Sequence, residues 1–333
     1  MPYFSIIIPV YNRPDEVDEL LESLTLQTYT DFEVLLIEDG SSDKCDVIAQ
    51  KYKDKLIVRY YFKENSGRSQ TRNFGMEKAQ GEYFVFFDSD CVIPSFYFQK
   101  IKETLDKNYT DSYGGPDKAD ESFTDLQKAI SFSMTSFFTT GGIRGSKGPK
   151  MEEFVPRTFN MGLSKEVYQT VGGFKDMFGE DIDLNLRIRN HGYTCQLIPD
   201  AFVYHKRRVD LRSFYRQVHV FGMARISLYL LHPTSLKLVH TLPALFTLAS
   251  ILMLLFAPFF PWLLVPLAAY FLLIFLASAI EYKKISIALL SILTSAIQLY
   301  GYGWGFIKSY FKKVLIGKEN SEKEELSKYY NKK

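Results

Sequence analysis

Residues 82–90, EYFVFFDSD, are the clearest structural signal in this chain of 333 residues. The apolar run 83–87 contains only strand-forming side chains, which is typical of a strand buried on both faces in a parallel sheet. It stops at Asp88 and Asp90. Ligands of open α/β sheets bind beyond the carboxyl ends of the strands, where two carboxylates can hold a hard divalent cation. Asp is equally favoured in turns and helix caps, so both interpretations remain open here.

Strand and helix patterns alternate through the first 90 residues. Strands are predicted over 5–10, 31–38 and 56–62, and helices over 15–27 and 68–79. This alternation indicates βαβ units with right-handed crossovers, hence a Rossmann-like, mostly parallel sheet flanked by helices. Each strand ends in polar residues, so a nucleotide would lie across one edge of the sheet.

Two common phosphate-binding motifs are missing from the sequence. No GxGxxG follows the first strand, and no lysine-containing Walker A loop occurs, which disfavours a dinucleotide cofactor and a P-loop enzyme. A divalent metal, Mg²⁺ or Mn²⁺, would then have to neutralise the phosphates. The net charge of +2 and the lack of basic runs interleaved with aromatics give no reason to expect nucleic acid.

A second acidic cluster lies in GEDIDLNLR, residues 179–187. Its acids Glu180, Asp181 and Asp183 fall in the first turn of a predicted helix, where the helix dipole alone favours negative charge. The helix dipole readily accounts for the presence of one acid in this turn and less readily for the presence of three. Further along, a strand-like segment 193–204 ends at His205, which is a candidate metal ligand, a candidate diphosphate contact or a purely structural residue.

The composition changes near residue 239. Three apolar segments follow, over about 239–257, 259–280 and 285–307, and the first two come close to the length that spans a bilayer. A buried core hairpin is the alternative, although a core helix would still show a polar face. We therefore predict an α-helical transmembrane region over 239–307. A lysine-rich tail, residues 308–333, follows it.

The segment before these spans, residues 209–238, is predicted to contain a basic amphipathic helix. Such a helix is expected in the headgroup layer, contacting membrane lipids, with packing into the protein core as the alternative. Basic residues here place the catalytic domain, residues 1–208, in the cytoplasm by the positive-inside rule. A third crossing would put the lysine-rich tail outside, so two or three crossings both remain possible. Gly301 and Gly305 have a spacing that suits helix packing or arises by chance.

Five motifs, taken together, resemble glycosyltransferase family 2. They are SIIIPVYNR (5–13), IEDGSSD (37–43), the run from Arg68 to Glu82 that closes in FFDSD (86–90), NMGLSKEVYQTVGGF (160–174) and GEDIDLNLRIRNHGY (179–193). They occur in the family order and span roughly residues 3–225. The resemblance implies a GT-A fold, a nucleotide-sugar donor and inversion at the anomeric centre.

The resemblance also implies roles for individual residues at the donor site. The backbone from Pro9 to Tyr11 would cradle the base and ribose, and Asp39 would accept a hydrogen bond from the base. Arg68 would approach the base or the diphosphate. Asp88 would contact ribose or metal.

The remaining roles concern the metal and the base. Asp90 would bind the metal between the donor phosphates, and Asp181 would be the catalytic base, with Glu180 and Asp183 as alternatives. An inverting transfer needs a carboxylate that takes the proton of the acceptor hydroxyl. His205 remains a weaker metal candidate.

The predicted activity is therefore a metal-dependent, inverting hexosyl transfer at the inner face of the cell membrane, in polysaccharide or glycolipid biosynthesis. The acceptor would be lipid-linked or a membrane-proximal glycan, selected in part by residues 135–150. Processive synthases of this family carry a Gln-x-x-Arg-Trp motif, and residues 216–221, RQVHVF, lack it. A processive synthase, an inactive sugar-nucleotide scaffold and a nucleotidyltransferase are the alternatives.

Overall fold

The structure is a computed structural model that describes residues 2–118, 123–141, 154–206 and 210–317. The chain divides into two compact units. In the described part, unit 1 holds residues 2–118, 154–176 and 180–206, and unit 2 holds residues 123–141, 177–179 and 210–317. The sequence had predicted an uninterrupted catalytic domain over 1–208. The difference arises because a helix-rich insertion at 123–141 folds with the C-terminal helices.

Unit 1 is built on a seven-stranded sheet of order β3-β2-β1-β4-β8-β6-β9. Its strands are β1 (Phe4–Val10), β2 (Phe32–Asp39), β3 (Val58–Lys63), β4 (Tyr83–Phe86), β6 (Ser112–Gly114), β8 (Met161–Ser164) and β9 (Cys195–Leu197). Neighbours pair in parallel except where β8 lies antiparallel to β4 and β6. The predicted mostly parallel sheet is confirmed, and the EYFVFFDSD strand lies at its centre.

Helices flank this sheet in unit 1. They are α1 (Pro14–Thr25), α2 (Asp46–Lys51), α3 (Arg68–Lys78), α4 (Tyr97–Lys107), α7 (Lys165–Val171) and α8 (Glu180–Asn190). The buried residues of β1, β2 and β4 explain the unbroken apolar runs, because both sheet faces are covered. Gly75 lets α3 lie close to the sheet, since a Cβ there would come within 2.4 Å of Ile7 Cγ2.

A second, three-stranded sheet positions the end of unit 1. It consists of β5 (Cys91–Val92), β7 (Asp117–Lys118) and β10 (Val203–His205), in the order β5-β10-β7. Its register pairs His205 with Cys91. The prediction of one strand over 193–204 is wrong, because a turn at residues 199–200 separates β9 from β10 and sends them to different sheets.

Unit 2 is helical in its described residues. Its helices are α5 (Asp125–Thr135), α6 (Phe137–Thr140), α9 (Leu211–Leu231), α10 (Leu242–Phe256), α11 (Leu264–Tyr282) and α12 (Ile285–Tyr310). The basic helix predicted over 210–230 is α9, and it buries one face that includes Phe214, Val218 and Ile226. Gly222 and Gly305 let α9 and α12 cross closely, since a Cβ on either would lie 2.1 Å from a backbone oxygen of the other helix.

Two segments of unit 2 are long and apolar enough to cross a membrane, Pro261–Tyr282 and Ile285–Leu315. The prediction of a full span over 239–257 is wrong, because α10 has 15 residues and a length of about 22 Å, short of the roughly 30 Å of a hydrocarbon core. Part of the predicted acceptor loop (142–150), residues 207–209 and residues 318–333 of the tail lie outside the described residues.

Candidate active site

The loops after β1 and β2 are joined at the carboxyl edge of the large sheet. Asn12 adopts a left-handed backbone conformation with φ of 53°. Its N–H donates to Ser41 Oγ at 2.8 Å, and its Oδ1 accepts from the N–H groups of Ser42 and Asp43 at 2.9 and 3.1 Å. The two loops therefore form one rigid edge. The predicted donor contacts Pro9 and Tyr11 directly precede Asn12, and the Tyr11 side chain is exposed.

Asp39 lies buried beside this edge. Its Oδ1 accepts from the N–H of Ser66 at 2.9 Å, and its Oδ2 accepts from the N–H of Gly67 at 3.0 Å. The ammonium group of Lys63 forms an ion pair with the same carboxylate. Asp39 thus holds the loop that leads into α3. Its role toward a nucleobase stays a prediction.

The two carboxylates of the DSD motif have different partners. Asp88 Oδ1 accepts from Arg72 Nη2 at 2.7 Å. Asp90 Oδ2 accepts from Arg13 Nη1 at 2.9 Å, and Asp90 Oδ1 lies 3.2 Å from His205 Nε2. The small sheet produces the last contact, since β10 places His205 opposite Cys91, the residue after Asp90. The Phe159 ring stacks on the imidazole with ring centroids 4.6 Å apart, which orients it.

The donor atoms of Asp90 and His205 fit a divalent cation. Ligand atoms about 2.1 Å from an octahedral ion lie roughly 3 Å from one another, close to the 3.2 Å between these two atoms. Cys91 Sγ is also within 4.8 Å of them. Burial raises the pKa of the Cys91 thiol well above its ordinary value, so it stays protonated and is a poor ligand. An imidazole suits transition metals, whereas Mg²⁺ prefers oxygen, so this donor set favours Mn²⁺ over Mg²⁺.

Arg72 joins the DSD motif to the GED motif. Its guanidinium donates to Asp88 and also lies 3.4 Å from Glu180 Oε1, and only 2% of its side chain is exposed. Arg68, one helical turn earlier on α3, binds both oxygens of Glu180 at 2.7 and 2.8 Å. The structure therefore brings the donor-side acids and the predicted base region together, 92 residues apart in sequence between Asp88 and Glu180.

The three acids of the GED motif have unequal access to solvent. Glu180 is enclosed by its two arginines, with 3% of its side chain exposed. Asp183 is fully buried between Lys175 at 3.1 Å and Arg187 at 2.8 Å, which makes it a structural ion pair. Asp181 has 15% of its side chain exposed and one cationic partner, Arg157, at 3.2 Å. Access to an acceptor hydroxyl thus favours Asp181 among the three.

Asp181 is held in its ionised form. Burial alone would raise the pKa of its carboxyl group, but the positive charge of Arg157, the hydrogen bond from it and the positive charge of Arg68 act in the opposite direction. The N–H of Ile182 adds a hydrogen bond to Oδ1 at 2.8 Å. The net pKa of Asp181 lies below its ordinary value. A general base needs this ionised state at neutral pH.

Sequence reasoning missed four cations of this site: Arg13, Lys63, Arg72 and Arg157. Each pairs with an acid that the sequence did identify. A signal existed for Arg72, because it lies one helical turn after Arg68 and so shares a helix face with it. The other three had no pattern that separates a site cation from a solvated one.

The comparison with protein families assigns the chain. Residues 5–172, slightly more than half of the sequence, match the profile of glycosyl transferase family 2. The chain belongs to this family. The matched range includes the DSD motif and all five of the donor-side residues Pro9, Tyr11, Asp39, Arg68 and Asp88, and ends before the GED motif.

Two curated relatives illustrate the similarity of this family 2 chain. It is 27% identical over 249 residues to the glycosyltransferase AglE of Haloferax volcanii. That alignment covers 73% of this chain and 79% of the relative. It is 36% identical over 115 residues to the uncharacterized glycosyltransferase EpsJ of Bacillus subtilis. That match covers 34% of this chain and a third of the relative's length.

A solved structure shares the fold of this family 2 chain. The mannosyltransferase PcManGT from Pyrobaculum calidifontis, in complex with GDP-Man and Mn²⁺, aligns with a TM-score of 0.58. The alignment covers 96% of this chain and 88% of that chain at 18% identity. It shows a common GT-A architecture, as the sequence had predicted.

Proposed function

We propose that this protein transfers a sugar from a nucleotide-sugar donor to a lipid-linked or membrane-proximal glycan acceptor, with inversion at the anomeric carbon. The observation that carries the proposal is the position of Arg72, whose guanidinium group pairs with both Asp88 and Glu180 in one ion-pair network. Asp181, the next residue, is the most accessible acid of its cluster. A donor-diphosphate region and a base are thereby adjacent, as a single displacement requires.

The donor would lie across the edge formed by the loops after β1 and β2. Pro9 and Tyr11 would contact the base and ribose, and Asp39 would accept a hydrogen bond from the base while holding the α3 loop. Family membership supports these roles, as does the fold shared with a protein solved in complex with GDP-Man. Arg13 and Arg68 supply positive charge on the side where the leaving diphosphate gains negative charge.

Asp90 and His205 would hold the divalent metal, with Mn²⁺ favoured and Asp88 nearby at the ribose. When bound, such an ion stabilises the charge that develops on the leaving diphosphate. Asp181 takes the proton of the acceptor hydroxyl as that oxygen attacks the anomeric carbon. Arg157 keeps Asp181 ionised before the acceptor arrives.

The acceptor is proposed to be presented at a membrane surface. Unit 2 exposes long apolar helices, and basic residues precede and follow them, which supports attachment with the catalytic unit on the cytoplasmic side. A sugar acceptor with a lipid carrier would then meet the site without leaving the membrane.

The test compares the wild-type protein with Asp181→Asn. Purified full-length protein is incubated with Mn²⁺, labelled nucleotide sugars and a lipid extract of the cells that make it. Label entering the lipid phase and release of nucleoside diphosphate are measured. We expect Asp181→Asn to lose at least about a hundredfold in rate while keeping its donor-induced thermal shift.

Asp176→Asn is the matched control, because this exposed acid lies five residues earlier and outside the ion-pair network. It should retain full activity. Undiminished transfer by Asp181→Asn would refute the assignment of the base, and retention of configuration in the product would refute inversion. A complete lack of transfer by the wild-type protein would favour a binding scaffold.

A further inference from the structure

The turn between α10 and α11 and the adjoining helix ends contain no buried residue, although Tyr270 packs on Phe246 and donates to the carbonyl of Phe138 at 2.6 Å. Each of residues 251–273, here called the apolar hairpin, is at least partly exposed, between the last buried residue of α10, Ser250, and the first of α11, Ile274. Large apolar side chains at its turn are exposed by half or more. They are Leu255, Phe256, Phe259, Phe260, Trp262 and Val265. A patch of this kind marks an interaction surface.

Four backbone N–H groups in the turn of the apolar hairpin are hydrogen-bonded within the hairpin. The N–H groups of Ala257, Phe259, Phe260 and Leu263 donate to carbonyl oxygens within the hairpin at 2.9–3.0 Å. Pro258 and Pro261 have no N–H to satisfy. A turn that faces water has no need of this internal bonding. A turn surrounded by hydrocarbon requires it.

The distribution of charged residues along this segment suits contact with a lipid surface. No Asp, Glu, Lys or Arg occurs in residues 238–280, whereas Lys237 precedes this stretch and Glu281, Lys283 and Lys284 follow it, so that lysines outnumber acids at its flanks. All three lysines are exposed. Lysine on both sides of the hairpin places its two ends at the same membrane face, where anionic headgroups attract them. Lys284 is also tied to Asp125 of α5 at 2.8 Å.

Helix α12 has partners that keep it out of the hydrocarbon. Thr294 Oγ1 donates to the carbonyl of Ala129 on α5 at 3.0 Å, and in the π-helical turn Phe311–Leu315 that continues α12, Lys313 Nζ donates to Ser227 Oγ on α9 at 2.7 Å. Half of the most apolar 18-residue stretch of Ile285–Leu315 is buried inside the protein, whereas only 11% of the corresponding stretch of Pro261–Tyr282 is buried. Helix α9 carries three arginines, Arg212, Arg216 and Arg225, which hydrocarbon disfavours strongly. If α12 crossed the bilayer, it would take α9 with it.

We propose that the apolar hairpin is a one-sided membrane anchor, which enters the lipid and returns to the same face, while α12 is the core helix of unit 2 and stays outside the hydrocarbon. This deepens the membrane association proposed above and rests on it. The part of α10 that contains no buried residue, residues 251–256, is about 9 Å long, and the corresponding part of the second arm, residues 261–273, is about 20 Å long. Both are shorter than the roughly 30 Å hydrocarbon core, so the hairpin occupies about one leaflet.

The chain offers its own probes, because its two tryptophans are Trp262 in the hairpin and Trp304 on α12. Both are exposed, by 66% and 49%. Full-length Trp304→Phe and Trp262→Phe each leave one reporter. They are added to preformed vesicles of phosphatidylcholine with one-third phosphatidylglycerol, some with lipids brominated near the bilayer centre. We expect bromine to quench Trp262 strongly and Trp304 little.

Three outcomes would overturn the proposal. Equal deep quenching of Trp304 would mean that α12 enters the bilayer. Quenching of Trp262 by iodide trapped inside the vesicles would mean that the hairpin crosses it. An absence of quenching at both positions would remove the anchor. The donor-induced thermal shift reports donor binding and needs no lipid. Failure of the membrane anchor is therefore distinguishable from failure of the transferase assignment.

A matched pair of charge substitutions tests the same surface. Phe259→Glu places a charge in the hairpin turn, and Val47→Glu places one on α2 at a side chain of equal exposure, 75% against 76%. We expect Phe259→Glu to lower binding to sedimented vesicles by about tenfold or more, and Val47→Glu to leave it unchanged. Equal binding of the two variants would contradict the proposal.

Discussion

Arg72 combines a full charge with almost complete burial. Two carboxylates, those of Asp88 and Glu180, face its guanidinium, and Glu180 shares its charge with Arg68. Removing one member of a buried ionic network leaves its partners uncompensated, which typically costs about 3–5 kcal/mol. The residue that links two motifs is therefore also a stability determinant of unit 1.

We predict that Arg72→Leu lowers the free energy of unfolding by about 3–5 kcal/mol in urea titrations followed by circular dichroism. Lys51→Ala is the control, since its ion pair with Asp18 is exposed to solvent and contributes little to stability. Similar losses for the two variants would show that the Arg72 network adds nothing beyond a surface ion pair.

Arg157 sets the charge state of Asp181, so the acid limb of the rate profile depends on it. With Arg157 present, the pKa of Asp181 is depressed, and the base stays ionised until the pH falls below the ordinary Asp range. Without Arg157, the largest contributions that oppose burial are lost, and the pKa of Asp181 rises. We predict that Arg157→Gln moves the acid limb of kcat/KM upward by about 1–3 pH units.

The matched control for Arg157→Gln is Arg59→Gln. Arg59 pairs with Glu33 at 2.8 Å, an ion pair of similar kind between β3 and β2. Its removal should leave the pH profile unchanged. A profile of Arg157→Gln that superimposes on the wild type would exclude Arg157 as the residue that tunes the base.

At the scale of elements, glycines determine how closely α9 and α12 approach. A Cβ at Gly222 would lie 2.1 Å from the carbonyl oxygen of Tyr302, and backbone cannot yield as a side chain can. We predict that Gly222→Ala destabilises the protein by about 1–3 kcal/mol, measured as a lower Tm in detergent. Gly301→Ala should cost less, because its Cβ would meet side chains and not backbone, namely Val218 Cγ2 at 2.7 Å and the Tyr215 ring at 3.2 Å. A larger loss at Gly301 would contradict this order.

Elements with a strong local pattern were predictable from the sequence. The ends of β1, β2 and α3 agree with prediction to within two residues, because apolar runs and polar strand ends specify them. The antiparallel insertion of β8 between β4 and β6 was not predictable, since nothing in four residues encodes their partners. The short length of α10 also depends on where packing ends, which composition does not reveal.

The site was predictable in its acids and in Arg68, and not in its other cations. Family motifs carry Asp39, Asp88, Asp90 and Asp181, and the structure brings Asp88 and Glu180 together through Arg72. Arginines such as Arg157 follow no motif, and their pairing exists only once distant segments meet. The roles of these residues in catalysis stay predictions until the variants are measured.

At the scale of the whole molecule, ligand binding should stabilise the folded state by mass action, by about 3 kcal/mol at a hundredfold excess over Kd. We predict that one nucleotide sugar raises the Tm of the full-length protein more with Mn²⁺ than without it. His205→Ala should lose this metal-dependent increment, because the substitution removes the proposed nitrogen ligand, His205 Nε2, which lies 3.2 Å from Asp90 Oδ1. His191→Ala, at an exposed histidine, should keep it. A metal-independent shift with every donor would contradict the metal site.

The way α12 is held has a practical consequence for preparing this enzyme. Its hydrogen bonds to α5 and α9 all lie outside residues 251–273. Truncating the chain before α12 would expose the faces of α5 and α9 that pack against it, which would favour aggregation. Replacing residues 251–273 alone with a flexible glycine-serine linker would instead keep these hydrogen bonds of α12, with the loss of the bond from Tyr270 Oη to the carbonyl of Phe138. The chain thereby offers a route to a detergent-free transferase whose catalytic unit is unchanged.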